Sequence, residues 1–119
     1  MMPSRDDAAM VATFKDASSF NQDISGWNVS SVTITGGMFT NATSFNQNIG
    51  GWDTSKVTDM LAMFEGATAF NQDLSSWDAS LVANCDNFAD DATAWLDAYA
   101  GSIAGKTPPL SESMIDAGC

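Results

Sequence analysis

The chain has 119 residues, with 4 Lys and Arg against 15 Asp and Glu, no histidine and a formal net charge of -11 at pH 7. This charge opposes the counterion release that rewards nucleic-acid binding, so nucleic acids and anionic membranes are disfavoured partners. The missing histidine excludes Ser-His and Cys-His catalysis and removes the commonest metal ligand. An apolar content of 45% argues against disorder, and no apolar run is long enough to cross a bilayer. We therefore expect one folded domain with no cofactor and no direct membrane insertion.

The first ten residues, MMPSRDDAAM, lack the apolar stretch of a secretory signal. Met10 and Phe14 already occupy the apolar positions of a partial repeat. We therefore expect the chain to be an excerpt of a longer protein, in which an export signal could lie upstream.

Three copies of one motif then follow at a spacing of 25 residues: FNQDISGWNVSSVTIT from Phe20, FNQNIGGWDTSKVTDM from Phe45 and FNQDLSSWDASLVANC from Phe70. Five sets of positions stay in register, which predicts one structural unit per copy and a stack of about four such units. These columns are Phe20/Phe45/Phe70, Ile24/Ile49/Leu74, Trp27/Trp52/Trp77, Val32/Val57/Val82 and Ala17/Ala42/Ala67/Ala92. Burial is predicted for Phe45, Ile49, Trp52, Val57, Met63, Phe64, Ala67, Phe70, Leu74 and Val82, with Trp52 the one that could lie on the rim.

A short helix is predicted in each unit from the segment around Met60. Met60, Met63, Phe64 and Ala67 are spaced i, i+3, i+4 and i+7, which places them on one helical face. The expected N-cap, first-turn acid and helix end are Thr58, Asp59 and Gly66. In the second unit Thr35-Gly36-Gly37 replaces better helix formers and predicts a looser turn. In the fourth unit Phe88 takes the column of Met63, and Ala89 takes that of Phe64.

The FNQD segment predicts one short strand per unit, since Phe45 and Ile49 can share a face of an extended chain and successive copies can pair in parallel. Stacked amides along this ladder are expected to hydrogen-bond to each other. The amide columns are Asn21/Asn46/Asn71 and Gln22/Gln47/Gln72. Asx-type turns are expected where an acid or amide precedes a serine by two places, at Asn28/Ser30, Asp53/Ser55 and Asp78/Ser80.

The repeat fades from Trp95, so residues 1–99 are interpreted as repeat, with a partial first unit from about residue 7, and residues 100–119 as a C-terminal cap. Pro108 and Pro109 break the chain path in this segment. Cys85 stands in the column of Met60 and is expected to be buried. A disulfide between Cys85 and Cys119 stays open, because pairing depends on geometry.

These residues, from FNQD through Trp-Asp and Val-Thr to Met-x-x-Met-Phe, resemble the repeats of 25 to 26 residues found in bacterial surface lipoproteins of the mycoplasma type. That family is of unknown function and is grouped with BspA-like leucine-rich repeats. The resemblance covers about Met10 to Tyr99. It implies a right-handed, leucine-rich-repeat-like solenoid with a short parallel strand ladder near FNQD and short helices opposite it. The chain lacks an acylated N-terminal cysteine.

Three chemical interpretations compete with a purely structural one. A paired-carboxylate hydrolase could use the recurring Asp23, Asp53, Asp73 and Asp78, but repetition gives them similar environments where catalysis needs different ones. Calcium could relieve repulsion between stacked Asp53 and Asp78, although Asn28 and Asn48 interrupt the acidic columns. Regularly spaced hydroxyls could form an ice-binding or glycan-binding face, at Thr43/Thr68/Thr93 and Thr33/Thr58.

The sequence is best interpreted as a non-catalytic binding or adhesion module of a larger surface or secreted protein. No catalytic, cofactor or metal residues are assigned. The expected partner is an unidentified protein or surface glycan, and weak self-association through exposed ends of the stack is a further expectation. A calcium-stabilised structural spacer and an ice- or glycan-binding repeat face are the alternatives.

Overall fold

Three stacked layers, each one repeat long, and the beginning of a fourth make up the part of the chain that the computed structural model describes, residues 9–94. We define layer 1 as residues 9–33, layer 2 as 34–58, layer 3 as 59–83 and layer 4 as 84–94. Isolated parallel bridges join Ala9 to Ile34, Ile34 to Asp59, and Asp59 to Asn84. The 25-residue register of the sequence is therefore the register of the stack.

The layers are built from turns, so the expected leucine-rich-repeat-like solenoid with a strand ladder and short helices is wrong. Within residues 9–94 the parallel pairing is limited to isolated bridges that form no sheet. Helical geometry is assigned there to residues 93–94 alone. Ile34 and Asp59 lie at the start of the segment for which a helix was expected, and Leu74, directly after FNQD, is the one bridge residue near the expected strand among residues 9–94.

The segments 9–17, 34–42, 59–67 and 84–92, which we call the turn face, consist of overlapping β-turns. In the first three of these segments the N–H groups alternate between two kinds of acceptor. In layer 3, every second N–H donates to layer 4 at 2.7 to 2.9 Å, from Met60, Ala62, Phe64 and Gly66 to the carbonyls of Asn84, Asp86, Phe88 and Asp90. The N–H groups between them donate three residues back at 3.0 to 3.2 Å, from Met63, Glu65 and Ala67.

This alternation explains why the helix around Met60 does not form. A helix needs successive N–H groups to donate four residues back, whereas here every second one is used by the next layer. Ala62 and Gly66 have φ of 54° and 71°, the left-handed values that the third residue of a type II turn requires. The expected capping roles of Thr58 and Asp59 are wrong for the same reason: the Thr58 hydroxyl donates to Thr33 O at 3.1 Å, and Asp59 Oδ1 accepts the Leu61 N–H.

The FNQD segments are not strands because side chains take the place of backbone partners. The N–H of Asn46 donates to Asn21 Oδ1 at 2.8 Å, and that of Asn71 donates to Asn46 Oδ1 at the same distance. A β-ladder would use backbone carbonyls for both bonds. The expected hydrogen bonding between stacked amides is nevertheless present, since Gln47 Nε2 donates to Asn21 Oδ1 and Gln72 Nε2 to Asn46 Oδ1.

The core is a stack of aromatic rings, one set per layer. Phe39 lies against Phe45 with ring centroids 4.2 Å apart, and Phe64 lies against Phe70 at the same distance. Phe88 meets Phe64 edge-on at 5.3 Å, so the ring that has moved one place along the sequence still fills the core. Such contacts add to the stabilisation from area burial.

The predicted burial is confirmed at nine of the ten positions, and Val82 is half-buried against the core. Trp52 lies inside, and its indole N–H donates to Ile24 O at 3.1 Å. The C-terminal cap proposed for residues 100–119 lies outside the described residues.

Candidate functional site

An open slot interrupts the turn face at Gly36. The positions equivalent to Gly36 in layers 1 and 3 carry Val11 and Leu61, and the glycine between them leaves a gap in this column. Val11 is 55% exposed and Leu61 is 40% exposed, so both apolar walls face solvent. The resulting depression, which we call the Gly36 slot, has a volume of about 320 Å³.

The floor of the slot is backbone held on both sides by hydrogen bonds. Gly36 O accepts the N–H of Ala12 at 3.0 Å, and the N–H of Gly37 donates to Leu61 O at 2.8 Å. Thr40 also lines the slot and donates its hydroxyl to Ala62 O at 2.6 Å. Because its floor is bonded to the layers on either side, the slot is preformed.

Gly36 and Gly37 differ in whether the backbone would accept a larger residue in their place. Gly37 has a φ of 68°, so a side chain there would be strained in the turn. Gly36 has no such constraint, and a Cβ added to it would meet Leu61 O at 3.4 Å and Leu61 Cβ at 3.8 Å, which is ordinary contact. The gap at residue 36 is therefore a property of this sequence and not a demand of the backbone.

Charged side chains stand at the edges of the slot. Asp59 and Glu65 belong to layer 3, on the side of Leu61, and Lys15 belongs to layer 1, on the side of Val11. Ile34 adds apolar surface to the lining. The lining is thus mainly apolar, with two acids in layer 3 and one base in layer 1, and Asp59 Oδ1 would lie 3.6 Å from a Cβ added at Gly36.

Sequence reasoning missed this slot. It interpreted Thr35-Gly36-Gly37 as a loosening of an expected helix, whereas the bonded turns keep that segment in register. The sequence does contain a signal for the slot. In the column of Val11, Gly36 and Leu61, a glycine stands between two large apolar residues.

The recurring aspartates form small turns on the surface. Asp53 Oδ1 accepts hydrogen bonds from the Ser55 N–H at 3.0 Å and from the Ser55 hydroxyl at 2.6 Å. Asp78 Oδ1 likewise accepts the Ser80 N–H. The Asx-type turns expected at these two positions are therefore confirmed. The serine hydroxyl, and then the serine N–H, hold the pKa of Asp53 below its ordinary value. Asp23 and Asp73 make equivalent turns with a similarly lowered pKa, through Ser25 and Ser75.

Asp53 and Asp78 influence each other electrostatically, but weakly. Hydrogen bonds from Ser80 lower the pKa of Asp78 below its ordinary value, and the charge of Asp53 opposes this as the smallest contribution. Within residues 9–94, no three acids or cysteines are grouped so that they could hold a metal ion. The carboxylates of Asp53 and Asp78 accept the hydrogen bonds that close their turns.

The two threonine columns lie where hydroxyl groups meet the neighbouring layer. Thr43, Thr68 and Thr93 are exposed, and the Thr43 hydroxyl donates to Ser18 O at 3.4 Å. The Thr58 hydroxyl is similarly used by Thr33 O. Hydroxyls that bind backbone carbonyls are less available to an external ligand.

Cys85 is buried in the core, as expected, and is disulfide-bonded. Cys119, the other cysteine of the sequence, lies outside the described residues. Among residues 9–94 no helix is both long and apolar enough to span a bilayer.

A stack of turn-built layers with an interrupted apolar column defines a repeat protein whose surface varies from layer to layer. Its sequence matches, over residues 8–100, the family described as "Mycoplasma protein of unknown function, DUF285". The chain belongs to this family. Comparison with curated proteins and with solved structures gave no match.

Proposed function

We propose that the chain is a non-catalytic binding module, of the adhesion type, within a larger surface or secreted protein. The observation that carries this proposal is the Gly36 slot, a preformed apolar recess on an otherwise acidic chain. An exposed recess lined by large apolar side chains and rimmed by polar ones is typical of a site that binds a partner.

Three further observations support the proposal. Asp23, Asp53, Asp73 and Asp78 all have pKa values lowered by similar serine contacts, whereas acid–base catalysis by a carboxylate pair needs environments that separate the two pKa values. The disulfide at Cys85 favours an oxidising compartment such as the cell exterior. The net charge of -11 favours a protein or glycan partner over nucleic acid.

The lipoprotein origin and the relation to BspA-like surface proteins are part of the same proposal and concern the whole gene product. The full-length reading frame tests them. An export signal with an acylated cysteine would support them, and a cytosolic enzyme domain joined to this chain would contradict them. Weak association through the ends of the stack is also proposed.

The binding function is tested by coating fluorescent beads with the folded chain and measuring their retention on surfaces of mucin, extracellular-matrix protein and cultured cells. Beads that carry the heat-unfolded chain, and beads that carry an unrelated acidic protein of equal charge, are the controls. Retention above both controls on at least one surface is expected. Retention equal to the controls on every surface would contradict the proposal.

The calcium-stabilised spacer is distinguished by a melting curve. A ligand that binds only the folded state must raise the melting temperature. We expect the same melting temperature with calcium and with chelator, because the Asp53 and Asp78 carboxylates already accept bonds from serine. A calcium-dependent rise that chelator removes would favour the spacer. The ice-binding alternative is tested separately, by measuring thermal hysteresis.

A further inference from the structure

We infer, on the basis of the proposed binding function, that the Gly36 slot recognises a protein segment in which one apolar side chain stands beside a Lys or Arg. The apolar side chain would occupy the place that Gly36 leaves empty in its column. The cation would lie on the flank of layer 3, beside Asp59 and Glu65.

The dimensions of the slot fit a single side chain. Val11 and Leu61 are two layers apart, which corresponds to about 10 Å at the usual spacing of hydrogen-bonded chains. Apolar atoms in contact are separated by about 4 Å, so one hydrocarbon side chain fills the space between the two walls. A carbon atom attached to Gly36 would lie 3.8 Å from Leu61 Cβ and 3.6 Å from Asp59 Oδ1, so a guest on the floor reaches both that wall and the acid beside it.

The charged residues around the slot determine which residue should stand next to the apolar side chain of the bound segment. Asp59 and Glu65 outnumber Lys15 around the slot, and the chain as a whole carries a net charge of -11. A cationic segment is therefore drawn toward this surface, and like charges suppress acidic segments. Because both acids lie on the Leu61 side, the cationic residue of the bound segment is expected on that side of its apolar side chain.

The test uses the full isotope-labelled chain and a blocked Lys-Leu-Lys tripeptide followed by amide chemical shifts. Shift changes are expected to concentrate at Gly36, Gly37, Leu61 and Ala62. Two matched peptides, Lys-Ala-Lys and Glu-Leu-Glu, are each expected to bind at least about fivefold more weakly. Equal shifts from Lys-Ala-Lys, or changes spread evenly over the acidic surface, would overturn the inference, and so would the absence of any shift.

Substitutions in the slot separate recognition from general electrostatics. Gly36→Leu fills the gap with a side chain that Leu61 already shows to be compatible with this column, and it is expected to weaken Lys-Leu-Lys binding about tenfold or more. Gly26→Leu is the control, since nothing lies within 4 Å of a Cβ added there. If Gly36→Leu does not fold, Leu61→Ala carries the test, with the exposed Leu81→Ala as its control. Unchanged binding in the folded slot variant would overturn the inference.

The bead assay distinguishes a failure of this inference from a failure of the proposed function. Beads with the Gly36→Leu chain should lose retention, whereas beads with the Gly26→Leu chain should keep it. Equal retention of both variants and the original chain would reject the slot and leave the binding function in place. If the original chain is not retained above its controls, the binding function itself is rejected.

Discussion

Trp77 donates its indole N–H to the carbonyl of Ile49 at 2.9 Å, so a side chain of layer 3 completes the backbone hydrogen bonding of layer 2 inside the core. Trp52 does the same for Ile24 one layer earlier. The two indole rings stack with centroids 6.4 Å apart and an interplanar angle of 5°. The Trp column thus joins the layers through both hydrogen bonds and packing.

Replacing Trp77 by Phe should therefore destabilise the protein by about 1 to 3 kcal/mol, because the carbonyl of Ile49 keeps only the Trp52 N–H and the smaller ring fills less of the core. The measurement is the midpoint of urea unfolding. Leu81→Ala, at a side chain that is 57% exposed, is the control and should change stability by less than about 0.5 kcal/mol. A Trp77→Phe variant as stable as the original chain would show that this hydrogen bond contributes nothing.

Truncating Phe70 to Ala should cost about 3 to 5 kcal/mol, as for other buried aromatic residues. Phe70 is fully buried and packs against Phe64 at 4.2 Å and against Phe45 at 5.9 Å, so its loss leaves a cavity between two layers. Urea unfolding gives the value. An unchanged unfolding midpoint would contradict the assignment of the Phe column to the core.

The adjacent glycines Gly50 and Gly51 should respond differently to alanine. A Cβ at Gly50 would lie 2.6 Å from the backbone oxygen of Asp73 in the next layer, whereas nothing lies within 4 Å of one at Gly51. Gly50→Ala must push two layers apart and should lower the melting temperature by several degrees, which corresponds to about 1 kcal/mol or more. Gly51→Ala should leave it nearly unchanged. Equal effects of the two substitutions would contradict the close approach of the layers at Gly50.

Stability should fall in acid as the aspartate turns lose their charge. The pKa of Asp53 in the folded protein lies below the ordinary value of 3.8, mainly because of the Ser55 hydroxyl. Its contribution is therefore complete above the ordinary pKa and is lost as the pH falls through the lowered folded value. Urea unfolding at a series of pH values from about 5 downward should show this decline in the midpoint.

The local cause of that acid sensitivity can be checked at one carboxylate. In Ser55→Ala, the pKa of Asp53 measured by carboxyl carbon NMR should rise toward its ordinary value, since the strongest hydrogen bond is gone. Asp23, which is paired with Ser25 in another layer, is the internal control and should keep its lowered pKa. A pKa of Asp53 that does not move would assign the shift to another cause.

The position of the rings could be predicted from the sequence because a 25-residue period brings equivalent side chains together whatever the local backbone conformation. In layers 2 and 3 the Phe, Ile or Leu, and Trp columns are buried as expected, whereas Phe20 and Trp27 of layer 1 are half-buried. The Asx turns at Asp53 and Asp78 follow from contacts between residues two places apart. These features depend on spacing or on near neighbours, and both are visible in the sequence.

The backbone conformation could not be predicted in the same way. The spacing of Met60, Met63, Phe64 and Ala67 fits a helix, but a chain of overlapping turns also directs these four side chains to the core. Only the adjacent layer decides between the two, because its carbonyls at Asp86 and Phe88 take the N–H groups of Ala62 and Phe64 that a helix would need.

The sequence by itself determined the repeat length, the core columns and the small polar turns. The tertiary structure decided that the layers are joined by alternating turn and interlayer hydrogen bonds, and that the missing side chain at Gly36 becomes a slot between Val11 and Leu61. The physical reason is that stacking of the layers has already met the entropic cost of bringing distant residues together. A hydrogen bond between residues 24 apart in sequence then contributes about as much free energy as a local one.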